Sequence, residues 1–193
     1  MADTNKIRYG LKNVVLFPAS IAADGSATYG DPISVPGAVS LSLDAQGEST
    51  PFYADNVKYY ISVSDDGYEG TLEVAKIPDA VLTALLNFAA DKNGVLYENA
   101  DASPAHFAMA FQFEGDAHAK RHVLYNCVAT RPSVAGQTKE EQISPQTESL
   151  SITCSSIYIA ALQANVVKAM ATPSESTQYN AWLTAVYQPV APD

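Results

Sequence analysis

Hydrophobic and polar positions alternate from Val57 onward. Val57, Tyr59, Ile61 and Val63 fall on one side, and Lys58, Tyr60, Ser62 and Ser64 on the other. A period of two marks a strand with one buried face. Asp65-Asp66-Gly67 follows, and an Asp-Gly step supplies the positive φ of a tight turn. Leu72 and Val74 then alternate with Thr71 and Glu73, which predicts a hairpin with the preceding strand. Pro78 stops the sheet, because it lacks an N–H for the ladder, and it suits the first turn of a helix. The period then changes. Val81, Leu82, Leu85, Leu86 and Ala89, with Phe88 beside them, form an apolar helical stripe and predict a helix over 78–92, capped by Asn93-Gly94.

The same period-two signal recurs along the chain. Val39, Leu41 and Leu43 alternate with serines and Asp44. Phe107, Met109, Phe111 and Phe113 make the clearest strand, and residues 121–130 return beside it. Leu150, Ile152 and Cys154 alternate with Ser149, Ser151 and Thr153. Residues 14–17 and 26–29 read as short strands around an Asp24-Gly25 turn, and 157–162 and 166–170 as a further pair. Ser174 can cap a closing helix near 175–187, with Tyr179, Trp182, Leu183, Val186 and Tyr187 on one face. The count is about nine or ten strands and two helices, joined mostly by turns. The expected fold is mainly β: two packed antiparallel sheets, sandwich-like or barrel-like, with helices at one side. At 193 residues the chain suits one domain, 1–193, with a loose N-terminal arm over 1–8 and a less distinctive C-terminal extension over 156–193.

Two stretches resist periodicity. Residues 44–56 read as a long loop with Phe52-Tyr53 in its middle, either a contact point or a plug folded back over the core. Residues 133–145 read as a polar loop.

Composition sharpens this picture. Apolar residues make up 47% and charged ones 17%, which favours a folded chain and leaves room for surface covered by partners. The formal net charge is −10, and 11 acidic but only 3 basic residues lie between Asp44 and Asp101. Such a chain does not grip nucleic acid by neutralising phosphates. Lys58, Lys76 and Lys92 are scattered, while Arg121 and Arg131 bracket one strand. The polar start shows no leader, and no apolar run approaches the roughly 20 residues of a membrane span. The expectation is a soluble protein with no membrane role, kept in the cytoplasm until it assembles.

Candidate chemistry is sparse. His106, His118 and His122 lack metal-ligand spacing. Cys127 and Cys154 fall on strands that can be neighbours, each where an apolar residue would go, and read as buried thiols. Asp65-Asp66 and Glu140-Glu141 are loop doublets that stay solvated, which argues against acid–base work. No nucleotide-, phosphate- or nucleophile-elbow motif occurs. The reading is no catalytic residue, no metal, no cofactor and no enzyme.

Several short runs together resemble a known family. Tyr9-Gly10-Leu11-Lys12-Asn13-Val14, Val35-Pro36-Gly37-Ala38-Val39, Thr50-Pro51-Phe52-Tyr53-Ala54-Asp55-Asn56, Glu98-Asn99-Ala100-Asp101, and Arg121-His122-Val123-Leu124-Tyr125-Asn126-Cys127 with Thr130-Arg131-Pro132 occur in order. In this they resemble the major tail (tail tube) proteins of phages with long non-contractile tails and of related prophages. The resemblance runs from residue 9 to about 154 and implies a structural virion protein. Such subunits form hexameric rings that stack into a tube, a conduit through which DNA passes without specific binding. It also implies tape-measure, tail-terminator and distal-tail partners, assembly in the host cytoplasm and a final place in the tail. On that reading Thr50, Pro51, Phe52, Tyr53 and Asp55 are candidate subunit or ring-stacking contacts. Asp44, Glu69 and Glu73, on polar strand faces, are candidates for an acidic lumen. The rivals are a β-sandwich module for carbohydrate or receptor, with tyrosines stacking on sugars, and an enzyme of unrecognised type.

Overall fold

A computed structural model describes residues 7, 9–115, 119–138, 146–174 and 176–191. In chain order the strands are β1 Leu11–Ile21, β2 Ala27–Tyr29, β3 Ile33–Ser34, β4 Ala38–Gln46, β5 Ser49–Ala54, β6 Val57–Val63 and β7 Gly67–Val74. Helix α1, Asp79–Leu85, precedes β8 Phe88–Ala90, β9 Leu96–Glu98, β10 His106–Phe113, β11 Arg121–Ala129 and β12 Glu148–Ser155. The chain closes with β13 Ile157–Ile159, β14 Ala164–Val166, β15 Lys168–Ala171 and α2 Ser176–Ala181.

Nine strands form one antiparallel sheet in the order β2-β1-β10-β11-β12-β7-β4, with β3 beside β1 and β15 beside β11. Ribbons β5–β6, β8–β9 and β13–β14 stand apart from it. The sheet curls until β4 touches β1 but does not close into a barrel. Its concave face holds the larger core: Val14 and Leu16 of β1, Phe107, Met109 and Phe111 of β10, Leu124 and Cys127 of β11, Leu150 and Ile152 of β12, and Leu72 and Val74 of β7. Helix α1 covers this core with Val81 and Leu85. The mainly β, sandwich-like expectation holds.

Strands β1, β10 and β11 are buried on both faces. Val15, Phe17, Ala108, Ala110, Val123 and Tyr125 turn the other way into a second core. Ile157, Ile159 and Trp182 cover them, with Ala171 of β15 beside them in the sheet, so β13 and the C-terminal residues around Trp182 pack on the sheet as a second layer while β15 extends it. Tyr125 donates its hydroxyl to the carbonyl of Tyr187 at 2.9 Å, and Tyr187 stacks on Trp182 at 5.4 Å. The closing helix is shorter than the expected 175–187, ending at Ala181 with turn bonds from Thr184 and Ala185 back to its carbonyl.

The helix expected over 78–92 stops at Leu85. Asn87 takes φ +59, a left-handed conformation that Asn tolerates and that ends a helix. Phe88 and Ala89, which continued the helical stripe in sequence, instead form β8 and pair with Glu98 and Tyr97. Asn93-Gly94 is the turn of that ribbon: Asp91 Oδ1 accepts from the N–H groups of Asn93 and Val95, both at 2.8 Å.

The expected hairpin of residues 57–74 is also corrected. β6 pairs with β5, whereas β7 pairs with β4 and β12. The turn lies at Asp55-Asn56, with φ +50 and +64, the pair of positive values that a two-residue hairpin turn requires. The 44–56 stretch is therefore mostly strand rather than loop. Of the N-terminal arm only Ile7 is described, and it is exposed. His118, residues 139–145 of the polar loop and the Glu140-Glu141 doublet lie outside the described residues.

Candidate functional site

β4 runs into β5 and β6 runs into β7, so 38–74 is one long hairpin whose outer half leaves the sheet. Two short connections mark the bend. Ser64 N–H bonds to the Glu48 carbonyl and Asp66 N–H to the Gln46 carbonyl, both at 2.9 Å, and Glu48 N–H bonds to Ser64 Oγ at 2.9 Å. These bonds carry the ladder through the bend. Gly67 sits at the root with φ +93, where a Cβ would lie 2.0 Å from the Cys154 carbonyl oxygen. Only glycine has both the conformation and the space. Asp65-Asp66 is thus part of the root, and Asp65 Oδ1 accepts from Gly67 N–H at 3.1 Å.

Beyond the root projects an arm. Opposed residues of an antiparallel pair share a face. Pro51, Ile61 and Val63 therefore lie on one side, and Phe52 with its partner Tyr60 on the other. A register shift between Phe52 and Tyr53 leaves Tyr59 without an opposite residue. Phe52, Tyr53, Val57, Tyr59, Tyr60, Ile61 and Val63 are all between 51% and 74% exposed, and none belongs to either core. Four rings and three aliphatic side chains at that exposure present on the order of 700 Å² of apolar surface, close to one side of a standard protein interface. Monomeric proteins rarely leave so much uncovered in one place.

The five candidate contacts come together here. Thr50, Pro51, Phe52 and Tyr53 lie on β5 and Asp55 at the tip. Sequence reasoning finds β6 as a strand but misses its share in the contact surface. The alternation makes the Val57, Tyr59, Ile61 and Val63 side half buried, yet every β6 residue is exposed. The available signal was Tyr60 on the supposedly polar side: large apolar groups on both faces of a strand with no helix or strand left to cover them.

The three acidic candidates share one face of the sheet beside the arm root. Register places Glu69 between Asp44 and Thr153, Thr71 between Ser42 and Ser151, and Glu73 between Ser40 and Ser149. The result is a patch of hydroxyls and three carboxylates. Hydrogen bonds from the hydroxyls of Thr147 and Ser40, the latter at 2.9 Å, hold the Glu73 carboxyl below the usual range. Asp44 and Glu69 are neighbouring like charges, an arrangement that opposes folding slightly. Neither ion pair recorded among the described residues, Lys12–Glu114 at 3.2 Å or Arg131–Glu98 at 2.6 Å, reaches this face.

Elsewhere several polar groups are tied into structure, while the buried Trp182 Nε1 finds no partner among the described residues. His106 Nδ1 meets Asn126 Oδ1 at 2.7 Å, and Asn126 Nδ2 donates to Ser155 Oγ at 2.8 Å. The His122 ring stacks on Phe111 at 5.1 Å. Among the described residues no three metal-binding side chains converge. No helix among them is long and apolar enough to cross a membrane.

No protein-family model matches the sequence, and no curated protein matches it. Among solved structures, the chain is similar to one from the six-fold symmetrised cryo-EM structure of the anti-feeding prophage baseplate. That likeness spans 88% of this chain and 97% of the other at 12% identity, with a TM-score of 0.41, too loose a superposition to carry a functional argument.

Proposed function

We propose that the chain is a structural subunit that assembles with copies of itself, using the β5–β6 arm as the contact. The observation that carries this reading is the arm's apolar surface, exposed on both sides and claimed by neither core. Burying it against another copy would remove the cost of keeping those groups in water. Closed rings also consume sheet edges that would otherwise aggregate.

More particularly, the subunit is a tail tube protein of a long-tailed phage or prophage. Hexameric rings stack into a tube, with tape-measure, tail-terminator and distal-tail proteins as its other partners and the virion tail as its final location. Thr50, Pro51, Phe52, Tyr53 and Asp55 meet a neighbouring subunit. Asp44, Glu69 and Glu73 face the lumen, where negative charge repels phosphate and lets DNA slide. The ordered sequence resemblance over residues 9–154 and the acidic surplus support this version.

Electron microscopy of the purified protein tests it: hollow tubes or six-fold rings are expected as concentration rises. A strict monomer at high concentration, even with tail-initiating proteins added, overturns it. The exposed tyrosines Tyr53, Tyr59 and Tyr60 favour the rival reading of a glycan- or receptor-binding module. Glycan binding lost on substituting them, without any self-association, would establish that rival.

A further inference from the structure

Cys127 of β11 and Cys154 of β12 are direct cross-strand partners, and their Sγ atoms lie 3.0 Å apart. Both are free thiols and fully buried. Opposed residues of an antiparallel ladder have Cα atoms about 4.5–5.5 Å apart, within the span a disulfide bridges. β11 shares one edge between β15, at residues 121–124, and β12, at residues 126–129. By strand pairing, the unit that bears the arm, β12–β7–β4, joins the rest of the sheet through four β11–β12 residue pairs, beside the contact of β4 with β1, and Cys127–Cys154 is one of the inner two.

We propose that Cys127 and Cys154 are a latent disulfide site that staples the arm-bearing strands to the rest of the sheet when the protein meets an oxidising solution. Burial, followed by the hydrogen bond and charge of Cys154, pushes the Cys127 thiol well above its ordinary range. The closed fold thus keeps the Cys127 thiol protonated and unreactive, because the thiolate is the nucleophile, and burial of both sulfurs shields them from reagents. Reaction waits for β11 and β12 to part locally. One thiolate then attacks a small-molecule disulfide, forms a mixed disulfide and releases one thiol. The second thiolate attacks the protein-side sulfur and releases the other thiol. Two electrons pass from the cysteine pair to the small disulfide, and the two cysteine protons end on the thiols released. The proposal does not depend on the assembly reading.

The test uses the full chain with oxidised glutathione in urea below the unfolding transition. Intact mass is expected to fall by about 2 Da, for two hydrogens lost. Peptide mapping should then join Cys127 to Cys154, and the urea midpoint should rise by about 1–2 M relative to the reduced protein. Cys127→Ala and Cys154→Ala should each stop at a single glutathione adduct. Wild-type protein that halts at mixed disulfides, forms covalent dimers instead, or gains the bond with an unchanged or lowered midpoint overturns the proposal. The mass and midpoint of the wild type decide this even if an alanine variant fails to fold.

Discussion

Replacing Phe52 and Tyr53 together by alanine should separate folding from assembly. Each ring is about 60% exposed, so covering it removes about 120 Å² from water, and the two together about 240 Å². At about 25 cal/mol per Å² this is about 6 kcal/mol per contact, or about 5 kcal/mol once the area that the alanine methyls still bury is subtracted. Every 1.4 kcal/mol is a tenfold change in affinity, so the concentration needed for growth should rise by more than about a thousandfold. Within the monomer the loss is small. Phe52 has the cross-strand partner Tyr60 but no neighbour in either core, which limits the cost to about 1 kcal/mol or less. Thermal unfolding by circular dichroism measures the second quantity, and light scattering with electron microscopy the first. Tube growth at the wild-type concentration would refute the role of the arm. A collapsed fold would refute its independence from the core.

Other consequences can be checked separately. Reversing Glu69 and Glu73 to lysine should leave tubes intact while slowing DNA passage, read as reduced infectivity of particles with normal tails; unchanged infectivity removes these residues from the lumen. Glu73 has its carboxyl held below the unfolded value of 4.5 by hydroxyl hydrogen bonds. Its stabilising effect is therefore complete above about pH 4.5 and fades as pH falls through the lower folded value. Unfolding midpoints of Glu73→Gln should differ from wild type at neutral pH and converge in acid; a difference that persists in acid contradicts this. Trp182→Ala should destabilise the fold by about 3–5 kcal/mol in urea unfolding, because its ring lies 2% exposed in the second core. A loss under about 1 kcal/mol would mean that the C-terminal layer is not a core element.

The legible parts of the fold were those where one covering layer explains one apolar face. β12, with Leu150, Ile152 and Cys154 inward and Ser151 and Thr153 outward, is such a strand. β10 was legible as a strand but not as a doubly buried one. Ala108 and Ala110 are small enough to fit either a wet face or a packed one, and only Trp182, Ile157 and Ile159 settle the matter from far along the chain. Asn87 hid the early end of α1, because Phe88 and Ala89 happen to continue its period. The arm failed for a deeper reason. Alternation tells which side chains share a face, not what covers that face. Val57, Tyr59, Ile61 and Val63 looked half buried because apolar faces usually find cover within their own chain. The sequence marks Phe52 and Tyr53 as contact candidates, but on a loop. The Asp55-Asn56 turn that makes their segment a strand was masked by Asp65-Asp66-Gly67, a more conventional turn sequence that here serves the arm root.

Site-specific photo-crosslinking from position 59 tests the central claim most directly. Tyr59 is the most exposed ring of the arm at 73% and has no opposite residue in the ribbon. A benzophenone side chain there should, under assembling conditions, yield covalent dimers and higher multiples of this chain, mapped to one surface of the next subunit. Crosslinks confined to the same chain, or none beyond solvent quenching while tubes form, would contradict the account.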